Sequence, residues 1–251
     1  MAGNIRIMVW LRSILVSVAS LGLVACASTE VDPYEDFNRS MTSFNKGLTT
    51  VTDTYFLKPI AQGYVATVPE PVTTAIRNFF SNLNDPWIAT NQLLQGKVKL
   101  AASDLGRFLV NSTLGVAGFF DVGDDMGLAK HREDFGQTMA VWGVGRGPYL
   151  VLPLLGPSSA RGLVSAYIGN FGGNLGQPVR FVDHVPTRNS LFFAQLVSLR
   201  ATALGFGAGL PGGGLPGGVM PEDPYLFLRD AYLRRQQFLI NDGDVQQQSA
   251  D

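Results

Sequence analysis

The chain has 251 residues with 19 basic and 20 acidic side chains, a formal charge of −1 that argues against nucleic acid as a partner. Apolar residues make up 46% of it and charged ones only 16%, where about a quarter would be charged in an ordinary soluble domain. The apolar excess needs something other than water to face, and a lipid or a membrane is the economical choice; a single cysteine excludes an intramolecular disulfide.

The N-terminus is a short head with Arg6 and Arg12, an apolar run over residues 13–25, and no acidic residue before Glu30. About 13 residues is too short for a spanning helix, which needs ~20, so this reads as a secretion signal. Leu23-Val24-Ala25-Cys26 then resembles the bacterial lipobox, which implies that Cys26 is acylated and becomes the first residue of the mature chain. Each buried methylene contributes about 0.8 kcal/mol, and two or more chains anchor firmly. With Ala27 and Ser28 rather than aspartate after the cysteine, the resemblance implies the outer membrane, periplasmic side. Removing residues 1–25 takes two basic groups and shifts the formal charge from −1 to −3. The remainder reads as a tether over 26–31, one helical domain over 32–240 and a polar tail over 241–251 judged disordered.

Asp32, Pro33 and Glu35 read as the cap, first turn and capping box of a helix. Tyr34, Phe37, Met41, Phe44, Leu48, Val51 and Tyr55 form one stripe at alternating steps of three and four, and Pro59 is the expected stop. The stripe reads first as core-facing; the other readings are a membrane interface or a partly polar passage. A second helix opens after Pro69 and Pro71 and ends at Asn84-Asp85-Pro86, which starts a third running to Gly96. Val98, Ala101, Ala102, Leu105, Phe108 and Leu109 give the stripe of a fourth, ending near Ser112. Residues 114–130 lose the period and read as a loop; its Asp121, Asp124 and Asp125 do not follow a calcium-loop pattern, so no metal site is assigned. A short helix over 132–142 precedes the glycine string 143–148, where a hairpin or mobile turn is expected, and residues 149–155 are apolar and extended. Ser158 caps another helix. Residues 190–204 are apolar on nearly every face, hence wholly buried or interfacial, and 205–218 read as a Gly/Pro-rich flexible linker. Asp223-Pro224 starts the last helix. The pattern is all-α, with one short Gly-rich hairpin.

Catalytic signals are absent. His131 and His184 sit in no recognisable frame, and no nucleophile elbow, zinc-protease helix or Walker loop occurs. The Gly-x-Gly-x-x-Gly match at 207–212 contains proline and precedes no βαβ unit, so it carries no nucleotide reading. No catalytic residue and no cofactor beyond the acyl anchor on Cys26 is expected.

Several runs, taken in order, resemble the VacJ/MlaA family of outer-membrane lipoproteins. They are Asp32-Pro33-Tyr34-Glu35-Asp36-Phe37-Asn38-Arg39, Phe44-Asn45, Lys58-Pro59-Ile60-Ala61, residues 78–86, 92–96, 107–121, 134–138, 143–153 and 223–232. The resemblance implies a ring-shaped helical domain in the periplasmic leaflet with a central amphipathic channel. It implies removal of mislocalised phospholipid from the outer leaflet, hand-over to a periplasmic carrier protein, and association with a trimeric porin. By family position Phe44 and Asn45 would belong to the channel, and Gly143, Gly145 and Gly147 to its flexible loop. A structural envelope lipoprotein without transport activity is the alternative, and a lipid hydrolase relying on His131 a weaker one.

Overall fold

A computed structural model describes residues 32–172, 179, 182–205 and 222–243. Cys26, its signal segment, residues 206–218 of the Gly/Pro-rich stretch and the tail beyond 243 lie outside the described residues. The order is α1 (Glu35–Thr52), α2 (Lys58–Thr67), α3 (Glu70–Leu94), α4 (Val98–Thr113), α5 (Val122–Asp125), α6 (Phe135–Val141), β1 (Tyr149–Leu152), β2 (Gly156–Ser159), α7 (Ala160–Ala166), α8 (Val185–Gly205) and α9 (Pro224–Ile240). The expected all-α class with one hairpin holds.

Prolines interrupt less than expected. Pro59 does not end the first rod: a π-helical turn over Asp53–Leu57 joins α1 directly to α2, with Pro59 in the first turn of α2. The wider turn accommodates a residue that lacks an N–H and whose ring crowds the carbonyl four positions back. Pro86 lies inside α3, so the expected second and third helices are one 25-residue helix. Lys130 Nζ donates to the Ser81 carbonyl (2.9 Å), next to the Asn82 carbonyl that Pro86 leaves without its helical donor.

Caps follow the sequence where no tertiary partner competes. Asp223 Oδ1 accepts from Tyr225 N (2.9 Å) and Leu226 N (3.2 Å), with Pro224 in the first turn of α9. Gly96, at φ +78°, closes α3. Asp134, not Arg132, opens α6 by accepting from Gln137 N (2.9 Å). Ser159, the last residue of β2, rather than Ser158 caps α7, its hydroxyl accepting from Gly162 N (3.1 Å). Asp32 does not cap α1, which begins at Glu35; its carboxylate instead accepts from Asn38 Nδ2 (2.8 Å) and from the Tyr225 hydroxyl.

The hairpin is antiparallel, with Tyr149 opposite Ser159 and Leu152 opposite Gly156. Its turn is residues 153–155, with Leu154 at φ +68°, and the glycine string leads into β1 instead of forming the turn. Tyr149 and Val151 face inward and pack with Tyr225 of α9; Met41, Leu226, Tyr232 and Leu233 surround them. The Tyr149 ring centroid lies 5.7 Å from that of Tyr232.

Two other segments differ from expectation. α8 is half-covered, not wholly buried: Val197 and Ala201 face inward while Phe192, Phe193 and Leu199 are exposed. It packs on α2 and α3, and Arg200 is bidentate to Asp53 of the π turn (2.5 and 2.6 Å). In the loop after α4, Val116, Ala117 and Gly118 are left-handed in succession (φ 51°, 58° and 89°), a strained path for a β-branched residue. Backbone bonds Ala117 N to Ser112 O (3.0 Å) and Gly118 N to Asn111 O (2.7 Å) hold it, and Phe119 stacks on Phe79 at 5.3 Å.

Candidate functional site

The facing sides of α3 and α4 are polar. Buried positions are Asn82, Asp85, Ile88, Ala89, Asn91 and Gln92 on α3, and Ala101, Asp104, Arg107 and Asn111 on α4. Val98, Leu105 and Leu109, three of the apolar stripe of α4, are exposed. An amphipathic period identifies two faces and leaves open which one meets the medium. The stripe read first as core-facing along α1 and the π turn is largely turned out, with Asn38 fully buried while Phe37, Phe44, Val51 and Tyr55 are exposed. Among the described residues 13 polar or charged side chains are buried, against 11 apolar ones, while 32 large apolar side chains are exposed.

This polar interior is wired. Gln92 Nε2 donates to Asp104 Oδ2 (2.7 Å), and His131 Nδ1 sits 2.9 Å from the same oxygen. Asp85 is held by Lys130, with Arg107 Nε 3.9 Å from its other oxygen. Arg107 also pairs with Asp121, whose second oxygen accepts from Asn111 Nδ2 (3.0 Å), so protein groups already engage this member of the acidic loop. Gln95 Nε2 (2.7 Å) and Lys97 Nζ (3.0 Å) both donate to Glu133. Burial pushes the Asp85 and Glu133 carboxyls above their ordinary values, with Lys130 and Arg107 opposing at Asp85 and Gln95 and Lys97 at Glu133. Buried charges persist only when so partnered. Gln92 Oε1, Gln95 Oε1, Asp104 Oδ1 and Gln137 Oε1 nonetheless find no donor among the described residues.

A second feature joins α1 to the hairpin. Asn38 Nδ2 donates to the Tyr149 carbonyl (3.0 Å) and Asn38 Oδ1 accepts from Val151 N (2.8 Å). One heptad on, Asn45 Nδ2 donates to the Leu152 carbonyl (2.8 Å) and Asn45 Oδ1 accepts from Leu154 N (2.8 Å). The two amides stand where a third strand would, satisfying the free edge of β1. On the other side Arg39 bridges Glu35 and Asp223 (both 2.7 Å) and lies 4.5 Å over the Tyr225 ring, tying α1 to α9. Burial, with Asp32 nearby, pushes the Tyr149 phenol up to about 12.

A family model described as MlaA lipoprotein matches residues 30–239. The chain belongs to the MlaA lipoprotein family. The intermembrane phospholipid transport system lipoprotein MlaA of Escherichia coli K12 is 30% identical over 250 residues, covering 95% of this chain and 92% of that protein. The protein of the same name from Haemophilus influenzae is 31% identical, covering 93% and 92%. An uncharacterized protein of Rickettsia bellii is 34% identical over 202 residues, 80% of this chain and 73% of its own. A solved structure described as "Structural basis for maintenance of bacterial outer membrane lipid asymmetry" matches with TM-score 0.66 at 30% identity, over 84% of this chain and all of that one. That structure is an MlaA, so the expected helical, ring-like class is this chain's class.

Within this MlaA fold the residues singled out from sequence are placed unequally. Asn45 faces the hairpin and Phe44 beside it points away, half-exposed. Gly143 (φ +83°) and Gly147 (φ +69°) take conformations that favour glycine. A side-chain carbon added at Gly143 or Gly145 would meet no atom within 4 Å beyond the adjoining residues. Cys26 lies outside the described residues. Sequence reading passed over Asn38, Asp85, Gln92, Asp104 and Arg107 as site residues. Their signal was present as polar residues at three- and four-residue steps inside helices, where the apolar stripe is the more conspicuous pattern.

Proposed function

We propose that this chain is an outer-membrane lipoprotein, acylated at Cys26 in the periplasmic leaflet, that maintains lipid asymmetry by removing mislocalised phospholipid from the outer leaflet. Its route is an amphipathic channel, with Phe44 and Asn45 on the path and Gly143, Gly145 and Gly147 in the adjoining loop; a periplasmic carrier receives the lipid and a trimeric porin is the membrane partner. No covalent chemistry is involved.

The observation that carries this reading is the inverted polarity: apolar side chains outside, a bonded polar set inside. A body of that kind suits burial in a leaflet around a passage for polar headgroups, and buried acceptors without protein donors suit a hydrated interior. Among the described residues no helix is long and apolar enough to cross a membrane, which is compatible with helices lying in the interface. Membership of the MlaA family supports the transport reading, since two relatives are named for intermembrane phospholipid transport.

The test is outer-leaflet phospholipid in cells lacking the gene, complemented by wild type or by Cys26→Ala. Accumulation on deletion that wild type reverses and the unacylated form reverses poorly is the expected result. Unchanged phospholipid on deletion would leave the fold and move the function to a structural envelope role.

A further inference from the structure

At the edge of the α3–α4 interior the surface carries a cavity of about 320 Å³ between α3, the segment leading into α6, and α9. Its charged lining is lopsided. Lys130 is neutralised by Asp85, Glu133 by Lys97, and His131 leans on Asp104. Asp134, the remaining acid, caps α6. Arg132 and Arg235 also line the cavity, and neither has an ion pair or side-chain hydrogen bond among the described residues. Both arginines are exposed at the mouth of the cavity, and Gln137, 2% exposed, forms part of its buried lining.

The walls of this cavity are fixed. Lys97 Nζ donates both to Glu133 in the segment before α6 (3.0 Å) and to Asp242 just past the end of α9 (2.5 Å), so one ammonium bridges the two elements that carry the arginines. At its other end α9 is held by the Tyr225 and Arg229 contacts to Asp32. Unpaired guanidinium groups on elements held in this way suit phosphate oxygens, which accept two parallel N–H bonds from one arginine. The volume is at the lower end of the ~300–1,000 Å³ of small-ligand sites, room for a headgroup and not for two acyl chains.

We propose that Arg132 and Arg235 form a binding site for a phosphate-bearing headgroup, a phosphodiester. This deepens the transport reading and leans on it only for the source of the phosphate. The acylated full-length protein in detergent micelles is titrated with glycerophosphoglycerol, glycerophosphoethanolamine and inorganic phosphate, followed by ³¹P NMR and calorimetry. Saturable binding is expected, weakened roughly tenfold by Arg132→Gln or Arg235→Gln and abolished in the double variant, with partial return for the lysine variants. Arg234→Gln, next along α9 and outside the cavity lining, is the matched-charge control, and circular dichroism checks folding of each variant. Preference for the diesters assigns the ligand to lipid, and equal or tighter inorganic phosphate assigns it to the free anion; both uphold the site. No saturable binding, or binding unchanged in the double variant, overturns it. Failure of the transport reading shows separately, as intact asymmetry in the deletion strain, whatever the titration gives.

Discussion

Asn38 illustrates how single residues carry this structure. It is fully buried, and its amide satisfies one carbonyl and one N–H of β1 together with the Asp32 carboxylate. Truncation leaves backbone groups dry and unpaired, at about 1–3 kcal/mol apiece, so Asn38→Ala is expected to cost about 3 kcal/mol in chemical denaturation. Asn45→Ala, at a half-exposed position where water can replace the amide, is expected to cost about 1 kcal/mol. Equal losses would contradict the strand-edge role assigned to Asn38. Glycines divide in the same way. A side-chain carbon at Gly115 would stand 2.2 Å from the Phe120 carbonyl, so Gly115→Ala is expected to destabilise by about 3 kcal/mol, whereas Gly145→Ala enters open space and should stay within about 0.5 kcal/mol. Thermal melts of the pair in one detergent check this.

Among elements, α8 has one polar tether that pH can release. Arg200 holds the Asp53 carboxyl below its ordinary 3.8, through hydrogen bonding and then charge, against the opposite push of partial burial. A depressed folded value means that the pair's stabilisation is present above pH 3.8 and is lost as pH falls through the lower folded value. The pair is partly solvated, so its contribution is about 1 kcal/mol. Hydrogen exchange along α8 should therefore speed up relative to α3 as the pH falls below 3.8 through the lower folded value, and Arg200→Gln should show the faster exchange already at neutral pH. An α8 equally protected across that range would remove the tether from the account. The glycine approach to the hairpin supplies a functional counterpart: Gly145→Pro should stiffen the loop and raise outer-leaflet phospholipid in complemented cells, and wild-type levels would count against a moving loop.

At the scale of the whole molecule, the outward apolar shell is the property to test. Phe37 of α1 and Tyr55 of the π turn lie on the exposed stripe, Tyr55 with 71% of its surface free. Burying an aromatic side chain of this size in lipid contributes about 1.5–3 kcal/mol, so Phe37→Glu with Tyr55→Glu should weaken vesicle binding of the Cys26→Ala protein by at least tenfold. Stability away from membranes should hardly change, because neither side chain is buried in the fold. Unchanged partition would place that stripe outside the bilayer.

Much of this was legible from residues alone. The repeated caps and three-to-four spacing announce helices, and ordered matches from Asp32 to Tyr232 point to the MlaA family, because each depends on neighbours in the chain. Capping at Asp223 and the stop at Gly96 followed for the same reason. Tertiary structure alone decided the rest. Asp32 gave up its cap for Asn38 and Tyr225, partners 6 and 193 residues away. Pro59 and Pro86 were absorbed into longer helices, whose packing outweighs a lost bond. Above all, periodicity defines two faces of a helix without saying which is inside. That sign depends on the medium and on what the opposing helix presents, and here Asp104 meets Gln92 and Arg107 meets Asp85 across α3 and α4, leaving the apolar faces to the outside.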